Sequence, residues 1–488
     1  MTVLGEQRNV TVPLPGTRRT AGAAGPASPP GRRAAGIGAE GIGAEAGGAE
    51  AGASRQADAL LVVPTLVVGT LTVNAAADIL PDTALLGPIT TARILLALGL
   101  AALVAAGARP ADFRTPLDVP ISLLVAATAQ ATYGHTSGAP LRFLLTAVAF
   151  YYLTVGLLRR DPQAREAVAL VALVAVAIAA AVALAQVAQA TPTTFYRRGL
   201  FGPVDSPRPE PGLRIRAVGT FTNPNLLATF ILLLGPYAAL SALGALGGGA
   251  TTRRRAVPAM SLGLVGLAGI GLFVSYSRAA VIGALAAAAV ASAAVVARRP
   301  HLRPRAGLAG AAALAAGAVV LLVAGLSGLL ARASGRAEAF TLATRALRGH
   351  LARGVGPDRA GDVMNALGHA GPPFAHTHNL WLNWLLETGV LGFAAIVLIT
   401  LGGLVAAGRG ALAGSPSGVA GLAALVGFCL MSLVDDPANA ERIAMAMWFA
   451  LALAVADTGA AGNPTRAHRL PRPRAGSPED TLALRYQR

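Results

Sequence analysis

The chain is built from apolar blocks that are long enough to cross a membrane. Its 488 residues are 54% hydrophobic and 13% charged, whereas roughly 25% of the residues of an ordinary soluble domain are charged. The blocks are roughly 17–25 residues long, the length at which a helix crosses a hydrocarbon core of ~30 Å. The sequence therefore predicts an all-α, polytopic membrane protein and argues against a soluble multidomain enzyme.

Twelve apolar blocks are candidate spans, and the third and eleventh show the weakest pattern. Most of their residues are Ala, Gly, Leu and Val, and small side chains among them let neighbouring helices approach closely. A tight transmembrane helix bundle is therefore predicted. The candidate spans are 58–77, 92–108, 118–134, 140–158, 166–190, 222–246, 257–276, 279–297, 306–330, 379–402, 418–434 and 442–457.

The two ends of the chain differ from the spans in composition. Residues 1–57 are rich in Gly, Ala, Pro and Arg, and a segment with so little apolar surface to bury is predicted to be a disordered tail. No apolar run follows Met1 within the first thirty residues, which argues against a cleavable signal peptide. Residues 458–488 form a second, basic tail. The transmembrane domain is therefore predicted to occupy 58–457.

Arginine clusters orient the predicted bundle, because cytoplasmic loops retain positive charge. All forty basic residues are Arg. In a twelve-span arrangement five clusters and both tails lie on one side, which is predicted to be the cytoplasmic side. The clusters are Arg109/Arg114, Arg159/Arg160/Arg165, Arg253–Arg255, Arg298/Arg299/Arg303/Arg305 and Arg466–Arg474.

Two large outer loops, 191–221 and 331–378, oppose this charge rule. The planar guanidinium group binds phosphate through two parallel hydrogen bonds, so their arginines predict an anionic ligand outside. A solvated loop with surface arginines is the alternative. The eleven arginines are Arg197, Arg198, Arg208, Arg214, Arg216, Arg332, Arg336, Arg345, Arg348, Arg353 and Arg359.

The rare residue types exclude several kinds of chemistry. The chain contains no Lys, which excludes a P-loop lysine and a Schiff-base lysine. Cys429 is the single cysteine, so the chain forms no internal disulfide and no thiolate metal cluster. No cofactor and no nucleic-acid partner are predicted.

The first candidate motif is Arg216-Ala-Val-Gly-Thr-Phe-Thr-Asn-Pro-Asn225, where the first outer loop enters the sixth span. Asn223 and Asn225 flank a proline in a pattern typical of a turn that caps a helix. With the nearby Arg214, these polar residues are candidates for binding a substrate. A helix cap beside a solvated arginine is the alternative.

The second motif is Ser277-Arg278, between two apolar blocks with almost no loop. A charge at the mouth of a membrane hairpin costs a few kcal/mol unless it is paired or reaches water. Arg278 is therefore a functional candidate, with snorkelling to the surface as the alternative.

The third motif is His376-Thr-His378-Asn379, where the second outer loop enters the tenth span. A helical metal pair needs histidines four residues apart, and no Cys or close carboxylate completes a ligand set, so no metal site is predicted. A histidine at the membrane boundary suits proton transfer, because its ordinary pKa is near neutrality. Glu387 follows about two turns inside the span, where an ionised carboxylate needs a partner. Helix anchoring is the alternative role.

Two further segments are weaker candidates. Gly354-Val-Gly-Pro357 lies in the second outer loop and lacks the frame of a phosphate-binding loop, so alone it indicates a turn. The acidic pairs Asp78/Asp82 and Asp435/Asp436 lack the DxD spacing of a cation site.

In their order along the chain, these motifs resemble the O-antigen ligase and polymerase superfamily of bacterial membrane glycosyltransferases. The resemblance covers about residues 220–390 and rests on Arg216–Asn225, Ser277-Arg278, the Gly354-Val-Gly-Pro357 stretch, and His378-Asn379 with Glu387-Thr-Gly389. It implies a GT-C-like bundle that transfers a glycan from a polyprenyl pyrophosphate carrier to a glycan, lipid or protein hydroxyl on the extracytoplasmic face.

The resemblance also implies roles for individual residues. Arg216 and Arg278 are expected to bind the pyrophosphate of the donor, and His378 is expected to be the base that activates the acceptor. The other candidates for substrate contact are Asn223, Asn225, Arg214, Asn379, Glu387 and Arg336.

One base without a neighbouring carboxylate nucleophile predicts a single displacement that inverts the anomeric centre, and scattered outer acids predict metal independence. A transporter of a lipid-linked glycan or another anion is the alternative function, for which inverted repeats and mid-membrane charges are expected. Neither is visible in the sequence.

Overall fold

The computed structural model describes residues 59–80, 89–133, 137–189, 216–247, 252–298, 334–368, 371 and 373–456. Within these ranges the structure contains fourteen α-helices and a 3₁₀ turn, Pro437–Asn439, which confirms the all-α prediction. The helices are α1 Val62–Ala77, α2 Thr91–Ala105, α3 Pro110–Phe113, α4 Asp118–Thr132, α5 Ala139–Arg160, α6 Ala164–Ala188, α7 Pro224–Gly247, α8 Thr252–Val274, α9 Arg278–Ala297, α10 Ser334–Ala346, α11 Ala360–Ala366, α12 Leu380–Leu412, α13 Pro416–Met431 and α14 Glu441–Ala456.

Eleven of the twelve candidate spans coincide with described helices. By length and composition four of them, α5, α6, α9 and α12, can cross a membrane, while α1, α2, α13 and parts of α7 and α8 are shorter apolar helices. The ninth candidate span, the two tails, Arg214 and most of the first outer loop lie outside the described residues. The count of twelve crossings therefore stays a prediction.

The helices pack through aromatic and small side chains. Phe150 of α5 stacks on Phe449 of α14 with ring centroids 5.8 Å apart, and Tyr151 meets Trp448 edge-on at 5.7 Å. Between α9 and α13, a Cβ atom at Gly283 would lie 3.0 Å from the backbone oxygen of Gly427. Glycine there lets the two helices approach closely.

The helix ends divide between two ends of the bundle. At the end called here the site end, the C-terminal ends of α1, α6, α8 and α13 meet the N-terminal ends of α7, α9 and α12. The Ala217 amide donates to Val274 O (3.1 Å), and the Leu380 amide donates to Ser432 O (3.0 Å). At the opposite, far end, Arg298 after α9 donates to Ala411 O in the last turn of α12 (2.8 Å). The segments predicted to be outer loops that the structure describes thus share one end.

Candidate functional site

The Arg216 motif is docked on the loop that precedes α9. Arg216 Nε donates to Ser275 O (3.2 Å), next to the amide-to-carbonyl bond between Ala217 and Val274 (3.1 Å). These contacts join the first motif to the second, because Ser275 lies three residues before Arg278. Two segments that are about 60 residues apart in the chain therefore form one surface.

Gln186, near the C-terminus of α6, fixes the backbone of the Arg216 motif. Its Oε1 accepts hydrogen bonds from the amides of Val218 (3.1 Å) and Gly219 (3.0 Å). Its Nε2 donates to Gly219 O (3.0 Å). Gly219 has a φ of +61°, and a Cβ atom there would lie 2.8 Å from Ala179 O, so glycine is required for this close approach.

Three arginines gather at the site end. Arg278 is the first residue of α9, Arg336 belongs to α10, and both are exposed. Burial, and then the charges of Arg336 and Arg278, lower the pKa of Arg216, while Asp435 acts in the opposite direction. Such mutual repulsion between fixed cations favours binding of a polyanion.

Asn225 connects the arginines to the histidine motif. Its Oδ1 accepts from Arg216 Nη2 (3.4 Å), and its Nδ2 donates to Asp435 Oδ2 (2.7 Å). Asp435 Oδ1 lies 3.7 Å from His378 Nδ1, which is longer than a hydrogen bond but close enough for an ion pair. Arg216, Asn225, Asp435 and His378 therefore form one continuous polar chain.

The two neighbouring aspartates differ in protonation. Burial raises the pKa of Asp435, but His378 and Asn225 stabilise its ionised form more strongly, so its pKa is lowered overall. Burial and the nearby Glu387 and Asp435 raise the pKa of Asp436 well above its ordinary value. Asp436 Oδ1 is also buried without a hydrogen-bond partner among the described residues. Of the pair, Asp435 is the aspartate whose surroundings favour the ionised form.

The two histidines are also distinct. His378 has a φ of +54°, uncommon for a residue with a side chain, and 32% of its side chain is exposed. Its amide donates to His376 Nδ1 (3.1 Å), and the two rings meet with centroids 4.5 Å apart. Burial, followed by the charge on His378, lowers the pKa of His376 to about 4. His376 is thus a neutral, half-buried support for His378.

His376, His378 and Asp435 place one potential ligand atom each within 4.8 Å of one another. The expectation that no carboxylate lies close to these histidines is therefore wrong, because Asp435 comes from a distant part of the chain. His376 Nδ1 already accepts a hydrogen bond, which places the proton of the neutral ring on Nε2 and leaves no free lone pair there. Metal independence stays a prediction, now with a defined set of residues to test.

Two predicted contact residues cap helices. Asn379 Oδ1 accepts from the Leu382 amide at the start of α12 (2.9 Å), and its Nδ2 donates to Leu433 O (2.9 Å). Asn223 Oδ1 accepts from the Asn225 amide at the start of α7 (2.8 Å). Both amides hold motif segments in place, and contact with a substrate stays a prediction.

Glu387 lies where the second outer loop packs against a break in α12. Gly389 has non-helical dihedral angles, and the freed carbonyls of Leu386 and Glu387 accept hydrogen bonds from the amides of Val355 (2.8 Å) and Gly356 (3.0 Å). The carboxyl group of Glu387, which is 9% exposed, bonds to the loop backbone before α11 and to Asn383. A Cβ atom at Gly354 would lie 2.2 Å from Glu387 O. The Gly354–Pro357 and Glu387–Gly389 motifs thus pack against each other and hold the second outer loop on α12. Substrate contact by Glu387 stays a prediction.

The structure brings together Arg216, Arg278, Arg336, Asn225 and His378, which sequence analysis took from three separate segments. It adds two residues that sequence analysis did not assign to the site. Asp435 had a visible signal as one of two acids at the outer end of a span. Gln186 had a weaker signal, as an amide near the end of a long apolar block.

The geometry defines a helical membrane protein with a cluster of three arginines that also contains a histidine and a carboxylate. Residues 263–397 match the family model described as O-antigen ligase. The match includes Arg278, Arg336 and His378 but neither Arg216 nor Asp435, which the fold brings to the same site. No curated protein matches the chain.

Proposed function

We propose that the protein transfers a glycan from a polyprenyl pyrophosphate carrier to an acceptor hydroxyl. The family match supports glycan transfer of the ligase or polymerase kind. The observation that carries the finer proposal is the polar chain from Arg216 through Asn225 and Asp435 to His378, because it joins an anion site to a base.

The arginines act on the donor. When the bond between the anomeric carbon and the pyrophosphate oxygen breaks, the electron pair leaves with the pyrophosphate and negative charge develops on it. Arg216, Arg278 and Arg336 are cations that stabilise this charge, and Arg216 is held in place by Ser275 and Asn225. The mutual repulsion of the three arginines is relieved when a polyanion binds.

His378 acts on the acceptor. A hydroxyl group has a pKa far above neutrality and needs a base as it attacks, so Nε2 of His378 takes its proton while the oxygen bonds to the anomeric carbon. The ionised Asp435 faces Nδ1 and stabilises the imidazolium that forms. The hydroxyl attacks opposite the departing pyrophosphate, so the displacement inverts the anomeric centre.

The site end is proposed to face the extracytoplasmic side of a bacterial cell membrane. The arginine clusters at the far end then follow the positive-inside rule. Labelling of Arg345→Cys in a Cys429→Ala background by an impermeant maleimide tests this. Reaction in intact cells is expected. Reaction only after permeabilisation would show that the site end faces the cytoplasm.

Reconstitution tests the activity itself. Purified protein in lipid vesicles is given a polyprenyl-pyrophosphate glycan and an acceptor extract from the host membranes. Release of free carrier pyrophosphate with a transferred glycan is expected. Uptake of the intact lipid-linked glycan without cleavage would instead identify a transporter.

A further inference from the structure

A cavity opens at the site end, and none of the residues that line it belongs to the arginine and histidine cluster. Its volume is about 540 Å³, within the roughly 300–1,000 Å³ typical of small-molecule sites. It lies between α1, α2, α5 and α14, beside the segment 221–226. Along α1 its lining runs from Asp78 to Leu71, which is about 10 Å at the helical rise. The cavity is thus a deep pocket.

The cavity has an apolar floor and a polar mouth. Leu71 of α1 and Met445 of α14 line its deeper part, further from the site end along their helices. Asn74, Thr90 and Glu441 line it nearer the site end. Amide, hydroxyl and carboxylate groups together offer both donors and acceptors, so the mouth suits a ligand rich in hydroxyl groups.

The formal charges lining the cavity cancel. Asp78 and Glu441 oppose Arg93 and Arg442. Arg442 donates to Thr220 O (2.7 Å) and lies 4.3 Å from the ring centroid of Phe221. The arginine cluster, in contrast, has three guanidinium groups and one ionised aspartate. The cavity therefore does not select a polyanion as that cluster does.

We propose that this cavity binds neutral sugar residues of the acceptor; this inference rests on the proposed glycan transfer. The ring of the half-buried Phe143 lines the cavity and offers a flat apolar surface to the carbon face of a sugar. The Arg93 to Thr146 hydrogen bond (3.1 Å) fixes part of the polar wall in advance. Such pre-organisation reduces the entropy lost on binding.

One short segment separates the cavity from the base. Thr222 and Leu226 line the cavity, whereas Asn225 between them bonds to Asp435 (2.7 Å), the partner of His378. An acceptor held in the cavity reaches across this segment to present its hydroxyl to His378. Donor and acceptor thus bind on opposite sides of the first turn of α7.

Protection of a cysteine tests binding without requiring transfer. Thr222→Cys, made in a Cys429→Ala background, is labelled with a maleimide in nanodiscs. The probe is the neutral oligosaccharide released by mild acid from the acceptor extract of the host membranes. It is expected to slow labelling at least about fivefold by occupying the cavity. Thr344→Cys, also exposed but on α10, is the control and should be unaffected.

Two results of this experiment would overturn the proposal. One is an unchanged labelling rate at Thr222→Cys with the oligosaccharide, and the other is equal protection by inorganic pyrophosphate. Adding Phe143→Ala should abolish the protection, because it removes the ring on which the sugar stacks.

Kinetics separate this proposal from the proposed function. Phe143→Ala should raise the acceptor KM about tenfold and leave the donor KM unchanged, because only acceptor binding is weakened. Thr146→Val, which keeps the shape and removes one hydroxyl, should raise the acceptor KM about threefold. If both variants transfer the glycan with an unchanged acceptor KM, the cavity assignment is overturned and the proposed function stands. Protection in a protein that performs no transfer supports the cavity and overturns the proposed function.

Discussion

The two ends of the bundle use arginine in opposite ways. At the far end, Arg160 donates to Ala106 O at the C-terminus of α2 (2.6 Å), and Arg298 donates to Ala411 O (2.8 Å) and Ser415 O (3.2 Å). Helix C-termini carry partial negative charge, so these cations are electrostatically satisfied by the fold. Arginine there anchors helix ends.

At the site end, Arg278 and Arg216 face unfavourable local charges. Arg278 is the first residue of α9, where the helix dipole disfavours a cation. Arg216 is repelled by Arg336 and Arg278. This is not true of every arginine at the site end. Arg442 also lies there, and it donates to Ala75 O at the C-terminus of α1 (3.0 Å). Arginines in such an unfavourable electrostatic environment indicate an anionic ligand, whose negative charge would stabilise them.

The largest expected effect comes from the base. His378→Ala should lower transfer by ~100-fold or more, because the acceptor hydroxyl loses its proton acceptor, while binding of the lipid-linked donor is retained. His376→Ala is the matched control and should cost much less. Turnover measured with saturating donor distinguishes them, and equal losses would favour a shared metal or structural role.

Replacing arginine by lysine sharpens the contrast between the two ends. Arg216→Lys and Arg278→Lys should each lower transfer by ~10-fold or more, because a point charge cannot reproduce a bidentate guanidinium fork on pyrophosphate. Arg298→Lys at the far end should keep near-normal turnover, since its role is to hold helix ends. Wild-type activity in both site-end variants would contradict the difference drawn between the ends.

The two aspartates provide an isosteric test. Asp435→Asn should lower transfer by ~10-fold, because the imidazolium of His378 loses its counter-charge. Asp436→Asn should cost much less, since burial and the neighbouring acids disfavour the ionised form of Asp436. Turnover of the two variants, measured in parallel, tests the assignment, and a reversed order of losses would show that the charge lies on Asp436.

The same two groups set a pH dependence of stability with opposite signs. The lowered pKa of Asp435 means that its contribution is complete at neutral pH and is lost only as pH falls below the ordinary range of Asp. The raised pKa of Asp436 means that stability falls as pH rises through that raised value. In alkaline buffer, the Asp436→Asn variant should therefore have a higher thermal unfolding temperature than the wild type.

The smallest effect is expected from the residue that positions Arg216. Gln186→Leu should lower transfer by ~5-fold, because removing its amide leaves three backbone groups unsatisfied, each worth about 1–3 kcal/mol when buried. Thr72→Val, another buried polar residue on a different helix, is the control. Donor KM should rise in the Gln186 variant alone, and a parallel change in both variants would indicate general destabilisation.

Sequence reasoning found the helices because the length of the apolar blocks matches the thickness of a bilayer. It also selected Arg216, Arg278 and His378, whose roles stay predictions, and the structure places all three at the site end. It could not find the bond between Asn225 and Asp435, which are 210 residues apart. Nor could it find that the carboxyl group of Glu387 bonds to the loop before α11; substrate contact by Glu387 stays a prediction. Hydrogen bonds between residues that are distant in the sequence depend on how the helices pack, and composition does not reveal that packing.

Transfer in the presence of excess EDTA, with the product linkage read by NMR, tests the central claim most directly. Purified protein is given a labelled polyprenyl-pyrophosphate glycan and the acceptor extract. The arginine and histidine site predicts undiminished transfer and an inverted anomeric centre. Loss of activity that Mn²⁺ or Zn²⁺ restores would move the chemistry to a metal held by His376, His378 and Asp435. A retained anomer would require a covalent intermediate and would contradict the single displacement.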